Sequence, residues 1–286
     1  MKVVLADSLG MCFGVRDAVK LALESPRREE LTILGELVHN TEVLRRLREA
    51  GIRTVASVDA PVETTRVMIT AHGAAHSVVA RLRERGLQVE EATCPLVGHA
   101  HRSLHRLVME GYFPVVIGRP DHVEVRGLVG DLEEYAVIQG ADELSLLAGR
   151  PRLGVVSQTT QPLDFVLDLV EQIRQAFPEA EVRFADTVCQ PTKERQAAAW
   201  RLAEACAVVV VVGGRNSNNT RQLLRACEAA GARAYGVETA ADLRSEWFDG
   251  VDTAGLTAGT STPDEVIEAV RRAMLRMDER ELLVAA

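Results

Sequence analysis

The sequence predicts an α/β protein built from three small units with mainly parallel sheets. Short β-branched runs alternate with longer amphipathic segments along the whole chain, the pattern of strands joined by crossover helices. Most of the strand-like runs end in a small or polar loop, and the space beyond the carboxyl ends of its strands is where an open α/β sheet binds ligands. One passage also recurs. A strand-like run leads through a small or acidic turn to a cysteine and then an amphipathic helix in VVLADSLGMCFGVRDAVKLAL, QVEEATCPLVGHAHRSLHRLV and VRFADTVCQPTKERQAAAWRL. The cysteines, Cys12, Cys94 and Cys189, lie 82 and 95 residues apart, which sets expected unit boundaries at 13–94, 95–189 and 190–286 together with 1–12. Units that converge their loops on a common centre would bring the three thiols together.

The elements follow in order. KVVLA is a short β-branched run and reads as the first strand, and the amphipathic spacing through 15–24 reads as a helix. LTILGEL is the next strand, followed by a helix through 41–50, the strand RVMITAHG and a helix through 76–85. After Cys94 come a helix, strands in YFPVVIG, YAVIQ and RLGVVSQTT, a helix through 163–176 and the strand EVRFADTV. A helix through 192–205, the run AVVVVVGG, a helix through 219–230 and the strands ARAYGVE and TAGLTAG complete the alternation. NSNNTRQL and TSTPDEV read as helix starts, with cap residues ahead of the apolar periodicity.

Composition narrows the function. A chain of 286 residues with 47% hydrophobic and 26% charged residues can bury a sizeable core. Its longest apolar runs, such as AVVVVVG at 207–213, are far shorter than the roughly 20 residues of a membrane span. MKVVLA is followed at once by polar residues, so no secretory leader is expected and the cytoplasm is the expected compartment. Five widely spaced cysteines, an odd number, suit reduced thiols or metal ligands better than a disulfide framework. A net charge of -8 argues against broad nucleic-acid binding, because phosphate neutralisation needs clustered Lys and Arg. An anionic small molecule would have to be held by local donors.

A cysteine at a helix N-terminus sits near unpaired N–H groups and the positive end of the dipole, which favours the thiolate a metal needs. Three such thiolates leave two options: a zinc ion completed by histidine or water, or an iron-sulfur cluster with one iron lacking a protein thiolate. The chain has no close cysteine pair, which weakens the zinc reading. His101 and His105 read as a helix face, His99 as a residue near Cys94, and Cys206 and Cys227, in apolar settings, as packing residues. Polar donors gather in the loops GELVHN (His39, Asn40), TAHG (His72), RPDHVEV (His122, Glu124), SQTT (Gln158, Thr159, Thr160), GGRNSNNT (Asn216, Ser217, Asn218, Asn219) and AGTSTPDEV (Ser261). Helix starts with exposed N–H groups are ready-made anion sites. Glu124 is the candidate proton donor among them, or else a surface carboxylate in a loop.

Together, MCFGVRDAV, GELVHN, TAHG, ATCPLVGHAH, HVEVRG, SQTT, DTVCQPTKERQ, VVGGRNSNNTRQL and GLTAGTSTPDEV resemble the 4-hydroxy-3-methylbut-2-enyl diphosphate reductase family over nearly the whole chain. The resemblance implies three α/β units arranged pseudo-three-fold around a central 4Fe-4S cluster held by Cys12, Cys94 and Cys189, with the fourth iron open. It implies a diphosphate gripped by His39, His72, Ser217, Asn218, Asn219 and Ser261, with His122 and Thr159 nearer the allylic alcohol and Glu124 delivering protons. The implied reaction is a reductive dehydroxylation giving isopentenyl or dimethylallyl diphosphate. Reduced ferredoxin or flavodoxin is the implied electron donor, with no nucleic-acid or membrane partner. Five positions depart from the family pattern: Asn218 stands for a serine, Pro191 and Glu194 for alanine and asparagine, His99 for a lysine and Val123 for a proline. A paralogous reductase, or a non-redox hydro-lyase acting on a related allylic diphosphate, is the alternative.

Overall fold

The computed structural model describes residues 1–284, with side chains through Met277. In chain order its elements are β1 (Lys2–Leu5), α1 (Phe13–Leu23), β2 (Leu31–Leu34), α2 (Thr41–Glu49), β3 (Arg53–Val55), β4 (Arg66–Ile69), α3 (His76–Glu84), β5 (Gln88–Glu91) and α4 (Pro95–Met109). They continue with β6 (Phe113–Ile117), α5 (Val123–Val129), β7 (Ala136–Ile138), β8 (Arg152–Ser157), α6 (Leu163–Ala176), β9 (Glu181–Phe184) and α7 (Gln190–Ala205). The last are β10 (Val208–Val212), α8 (Asn218–Ala229), β11 (Arg233–Val237), β12 (Thr253–Ala258) and α9 (Asp264–Val284), with short 3-10 turns between some of them.

The strands form three four-stranded sheets, ordered β3-β2-β4-β5, β7-β6-β8-β9 and β11-β10-β12-β1. Every pairing is parallel, so the expected α/β class holds and "mainly parallel" becomes wholly parallel. Each sheet repeats one topology. A central strand (β2, β6 or β10) is followed by its outer neighbour, then by the second central strand (β4, β8 or β12), and finally by the far edge strand that leads to a cysteine. In the third sheet that edge strand is β1, so the chain closes its last unit with its first strand. Each expected unit therefore carries one sheet. By contacts the chain falls into two compact units, one of Met1–Arg16, His39–Arg45 and the stretch from Gln190 onward, the other of Asp17–Val38 and Arg46–Cys189.

Burial follows from the strand sequences. All five valines of β10 are fully buried, as a strand covered on both faces of a parallel sheet requires. Alternate residues point to opposite faces. Val208, Val210 and Val212 pack with Ile267, Val270 and Met274 of α9, while Val209 and Val211 pack with Ala198, Ala199 and Leu202 of α7 and Leu223 of α8. The β6–β9 sheet is built the same way, with Val115 and Ile117 against Val166, Leu169 and Ile173 of α6, and Val116 against Leu104 of α4 and Val125 of α5. Each fully buried aliphatic side chain contributes about 1.5–3 kcal/mol of transfer free energy.

Two of the repeats also share a glycine that seats the helix behind the cysteine. A Cβ on Gly154 of β8 would lie 2.9 Å from Leu107 Cβ, and one on Gly255 of β12 would lie 2.8 Å from Leu202 Cγ. Each leucine stands 13 residues past its cysteine. Close helix-to-strand approach thus fixes where the helix starts, and with it the cysteine. One expectation needs correction. The loop assigned to RPDHVEV contains a helix, α5, whose N-cap is His122. Its seven residues are too few to display a helical period, and the short strand β3 went unread for the same reason. Among the described residues, no helix is long and apolar enough to cross a membrane.

Candidate functional site

The three cysteines occupy equivalent places. Cys12, Cys94 and Cys189 are half-buried thiols, and each immediately precedes a helix, α1, α4 or α7. Their backbone N–H groups donate to the carbonyls of Thr260 (3.0 Å), Ala71 (3.1 Å) and Thr159 (2.9 Å), each two residues past the end of β12, β4 or β8. The repeat read in the sequence is therefore also a hydrogen-bond repeat. Each cysteine is tied to a loop that carries a candidate substrate residue: Ser261 follows Thr260, His72 follows Ala71, and Thr159 is itself one.

None of the five cysteines is in a disulfide. Among the described residues, no group of three or more His, Cys, Asp or Glu side chains is set to hold a metal ion. A cubane cluster differs from a single ion in spreading its thiolates over separate irons, and three half-buried thiols at helix N-termini are the right donor chemistry for it. Cys206 and Cys227 are buried among apolar residues, as expected. Burial pushes the Cys206 thiol up and the Cys227 thiol to about 12, so neither is a thiolate at neutral pH.

The unit that holds Cys94 and Cys189 places Glu124, Thr159, His122 and His72 together. Glu124 lies in the first turn of α5 and is 2% exposed, so the reading of it as a surface loop carboxylate is overturned. Its Oε1 accepts the Thr159 N–H at 2.6 Å and its Oε2 pairs with the Thr159 hydroxyl at 3.0 Å. Desolvation raises its pKa to about 7 against the opposing pull of those two hydrogen bonds. The carboxyl is thus poised to hold or release a proton at neutral pH. Thr159 suits both states, because its hydroxyl can donate to the carboxylate or accept from the acid. The same residue links the acid to Cys189, whose N–H its carbonyl receives. His122 Nδ1 accepts the Glu124 N–H at 3.2 Å, which puts the imidazole proton on Nε2. The His72 ring stands edge-on to that of His122, with centroids 5.7 Å apart.

The other unit gathers His39, Ser217, Asn218, Asn219 and Ser261. Asn219 is 2% exposed, and its Oδ1 accepts the Thr260 N–H at 3.0 Å. That bond fixes the amide orientation and leaves the buried Nδ2 group without a protein acceptor. Ser217 caps α8 by accepting the Thr220 N–H at 3.3 Å, so its own hydroxyl proton remains available. Ser261 Oγ donates to the His39 carbonyl at 3.1 Å, joining the loop before α9 to the loop before α2. These donors cluster at the N-terminus of α8, where the helix dipole favours negative charge. A buried donor of this kind has the chemistry to bind an anion.

Two glycines in VVGGRN make this packing possible, and neither was singled out from the sequence. A Cβ on Gly214 would lie 2.4 Å from the His39 carbonyl oxygen, and one on Gly213 would lie 2.3 Å from Thr220 Oγ1. Gly214→Ala is expected to push the His39 loop off its seat, raising KM for an anionic substrate by roughly tenfold or more with a smaller change in kcat, a loss of about 1–3 kcal/mol of hydrogen bonding. Steady-state kinetics check this.

The remaining candidates are structural or peripheral. Asn40 caps α2, its Oδ1 accepting the N–H groups of Glu42 and Val43 at 3.1 Å. Gln158 is buried, bonds within its own loop to the Thr160 hydroxyl, and accepts the Arg119 N–H from the loop after β6. His99 and His105 are exposed, whereas the His101 ring packs against Gly73. Of the departures from the family pattern, His99 and Glu194 lie on exposed faces, Glu194 accepting from the Gln190 amide at 3.1 Å. Pro191 is buried in the first turn of α7 and Asn218 is buried at the start of α8.

Comparison with known proteins matches residues 3–275 to the LytB protein family. The 4-hydroxy-3-methylbut-2-enyl diphosphate reductase of Trichlorobacter lovleyi is 38% identical over 282 residues, covering 98% of each chain. That of Aquifex aeolicus is 35% identical over 287 residues, again covering 98% of each. A solved (E)-4-hydroxy-3-methyl-but-2-enyl diphosphate reductase aligns with a TM-score of 0.69 at 35% identity, over 96% of this chain and all of the other. The Plasmodium falciparum enzyme shares the fold at a TM-score of 0.89 and 24% identity, over 95% of this chain and 87% of its own.

Proposed function

The chain belongs to the LytB family of 4-hydroxy-3-methylbut-2-enyl diphosphate reductases, and from that premise we propose how its own residues carry the reaction. The chemistry is a reductive dehydroxylation. The allylic alcohol takes two electrons and two protons, its C–O bond breaks, the oxygen leaves as water, and one proton ends on carbon to give isopentenyl or dimethylallyl diphosphate. Cys12, Cys94 and Cys189 would hold a 4Fe-4S cluster, which would supply the electrons and Lewis-acid chemistry at the allylic alcohol. A reduced ferredoxin or flavodoxin replenishes them.

The observation that carries this reading is the buried Glu124–Thr159 pair. A carboxyl with pKa about 7 is an acid strong enough to protonate a departing hydroxyl and weak enough to be reloaded at neutral pH. The Thr159 hydroxyl passes the proton on, and His122, with its proton on Nε2, donates toward the substrate oxygen. Asn219 Nδ2, the Ser217 hydroxyl, Asn218, His39 and His72 bind the diphosphate, with Ser261 turning its hydroxyl from the His39 carbonyl to join them, helped by the N–H groups that open α8. A local cradle of this kind accounts for diphosphate binding by a chain of charge -8.

Anaerobic reconstitution with iron and sulfide, followed by turnover of 4-hydroxy-3-methylbut-2-enyl diphosphate with dithionite and a viologen, tests the reading. Turnover that depends on the reductant is expected. Dehydration without a reductant would instead identify a hydro-lyase, and bound zinc without iron would remove the cluster from the account.

A further inference from the structure

Arg195, in the second turn of α7, is only 7% exposed, and its guanidinium joins two backbone segments. Nε donates to the Gly10 carbonyl at 2.9 Å, and Nη1 donates to the Pro191 carbonyl at 3.0 Å. Gly10 lies two residues before Cys12, and Pro191 lies two residues after Cys189. The Gly10 turn is itself constrained. Its φ is +74°, its N–H is held by the Ala258 carbonyl at 3.0 Å, and a Cβ there would stand 2.7 Å from Ile267 Cδ1. The carbonyl that receives Arg195 therefore has little freedom to turn away.

The repeat shows that this arginine is not a packing requirement of the fold. Six residues past the other two cysteines, the same place in α1 and α4 holds Ala18 and Ala100, both buried. Only the helix after Cys189 carries a cation there. Burying a guanidinium is costly unless its donors are well placed, and a fork that reaches two carbonyls at once is the geometry arginine supplies and lysine does not.

We propose that Arg195 is a positioning residue of the cluster site, tying the Cys12 loop to the first turn of α7 and setting a positive charge beside that loop. The proposal rests on the reading of Cys12 and Cys189 as cluster ligands. Hydrogen bonds from a charged donor are stronger than neutral ones, so the tie holds the loop in the ligating conformation before the cluster is in place. A fixed positive charge close to a cluster also favours its reduced state.

The test compares the full-length wild type with Arg195→Met and Arg195→Lys, each reconstituted anaerobically. R195M is expected to lose iron to a chelator roughly tenfold faster than the wild type, and to show a more negative cluster potential. R195K, which keeps the charge but cannot span both carbonyls, is expected to recover the potential and only part of the lifetime. In the cluster-free proteins, iodoacetamide labelling of Cys12, followed by peptide mass spectrometry, is expected to be several-fold faster in R195M, with Cys94 unchanged as the reference. Folded R195M with wild-type cluster lifetime, potential and Cys12 labelling overturns the proposal. If the wild type takes up no iron and sulfide, the cluster reading fails, and the Cys12 labelling comparison still decides whether Arg195 holds the loop. If R195M does not fold by circular dichroism, R195K carries the same comparisons, and wild-type values in all of them overturn the proposal.

Discussion

Glutamine in place of Glu124 lowers turnover by roughly 10²–10⁴-fold while iron and sulfide content stay at the wild-type level. Gln can still accept the Thr159 N–H, so the fold around the site survives, but it has no proton to give. The same substitution has an opposite effect on stability. The Glu124 pKa is raised by burial from an ordinary 4.5 to about 7, so folding binds this proton more tightly than the unfolded chain does. The stability this contributes is fully present below pH 4.5 and is lost as pH rises through about 7. The loss is about 3 kcal/mol in all. E124Q carries no such dependence and is expected to melt above the wild type at pH 8. In the wild type, the acid form disappears above pH 7, so kcat/KM should fall about tenfold per pH unit there. Thermal melts and pH–rate profiles of the two proteins, run side by side, decide both points. A wild-type profile that stays flat to pH 9 would remove Glu124 from proton delivery.

Serine at Cys12, Cys94 or Cys189 is the second large effect, and each single substitution should leave a folded protein without a stable four-iron cluster. On the proposed mechanism activity should fall by at least about 10³-fold, since a cluster held by these thiols would supply the electrons for the step. The thiols are half-buried at helix starts rather than packed in the core, so the cost to folding is small. Serine at Cys227 is the control. That thiol is fully buried, donates weakly to the Ala199 carbonyl at 3.7 Å and belongs to the packing between α7 and α8. C227S is expected to lower the melting temperature and leave iron content unchanged. Iron analysis, visible absorbance and melting curves separate the two behaviours. Equal iron loss from all four variants would show that the fold, not ligation, was being measured.

Much of this was legible from the chain. The strand and helix alternation, the three equivalent cysteines and the loop residues all rest on local signals, because β-branched runs, helical spacing and cap residues act over a few neighbours. Those signals weakened where an element was short. The seven residues of α5 could not display a helical period, and its N-cap is a histidine rather than one of the usual Ser, Thr, Asp or Asn residues. The consequence reached the chemistry, because the carboxylate read as a possible loop side chain sits inside that helix and is fully enclosed.

Gly213, Gly214 and Arg195 were also beyond local reading. Gly213 matters through a close approach to Thr220 that appears only once the chain is folded, Gly214 through the distant His39, and Arg195 through Gly10, 185 residues away. The sequence by itself determined the α/β class and the cysteine repeat, since both are written in periodicity and order, and its motifs carried the family resemblance from which the cluster and diphosphate residues are proposed. The tertiary structure alone decided that Glu124 is desolvated and paired with Thr159, 35 residues on, that the Asn219 amide points its nitrogen away from protein acceptors, and that an arginine ties the Gly10 turn to the first turn of α7. The physical reason is that desolvation and hydrogen bonding depend on which groups are brought together in space. Those groups come from separate strands and helices, and only their packing removes the water and supplies the partner.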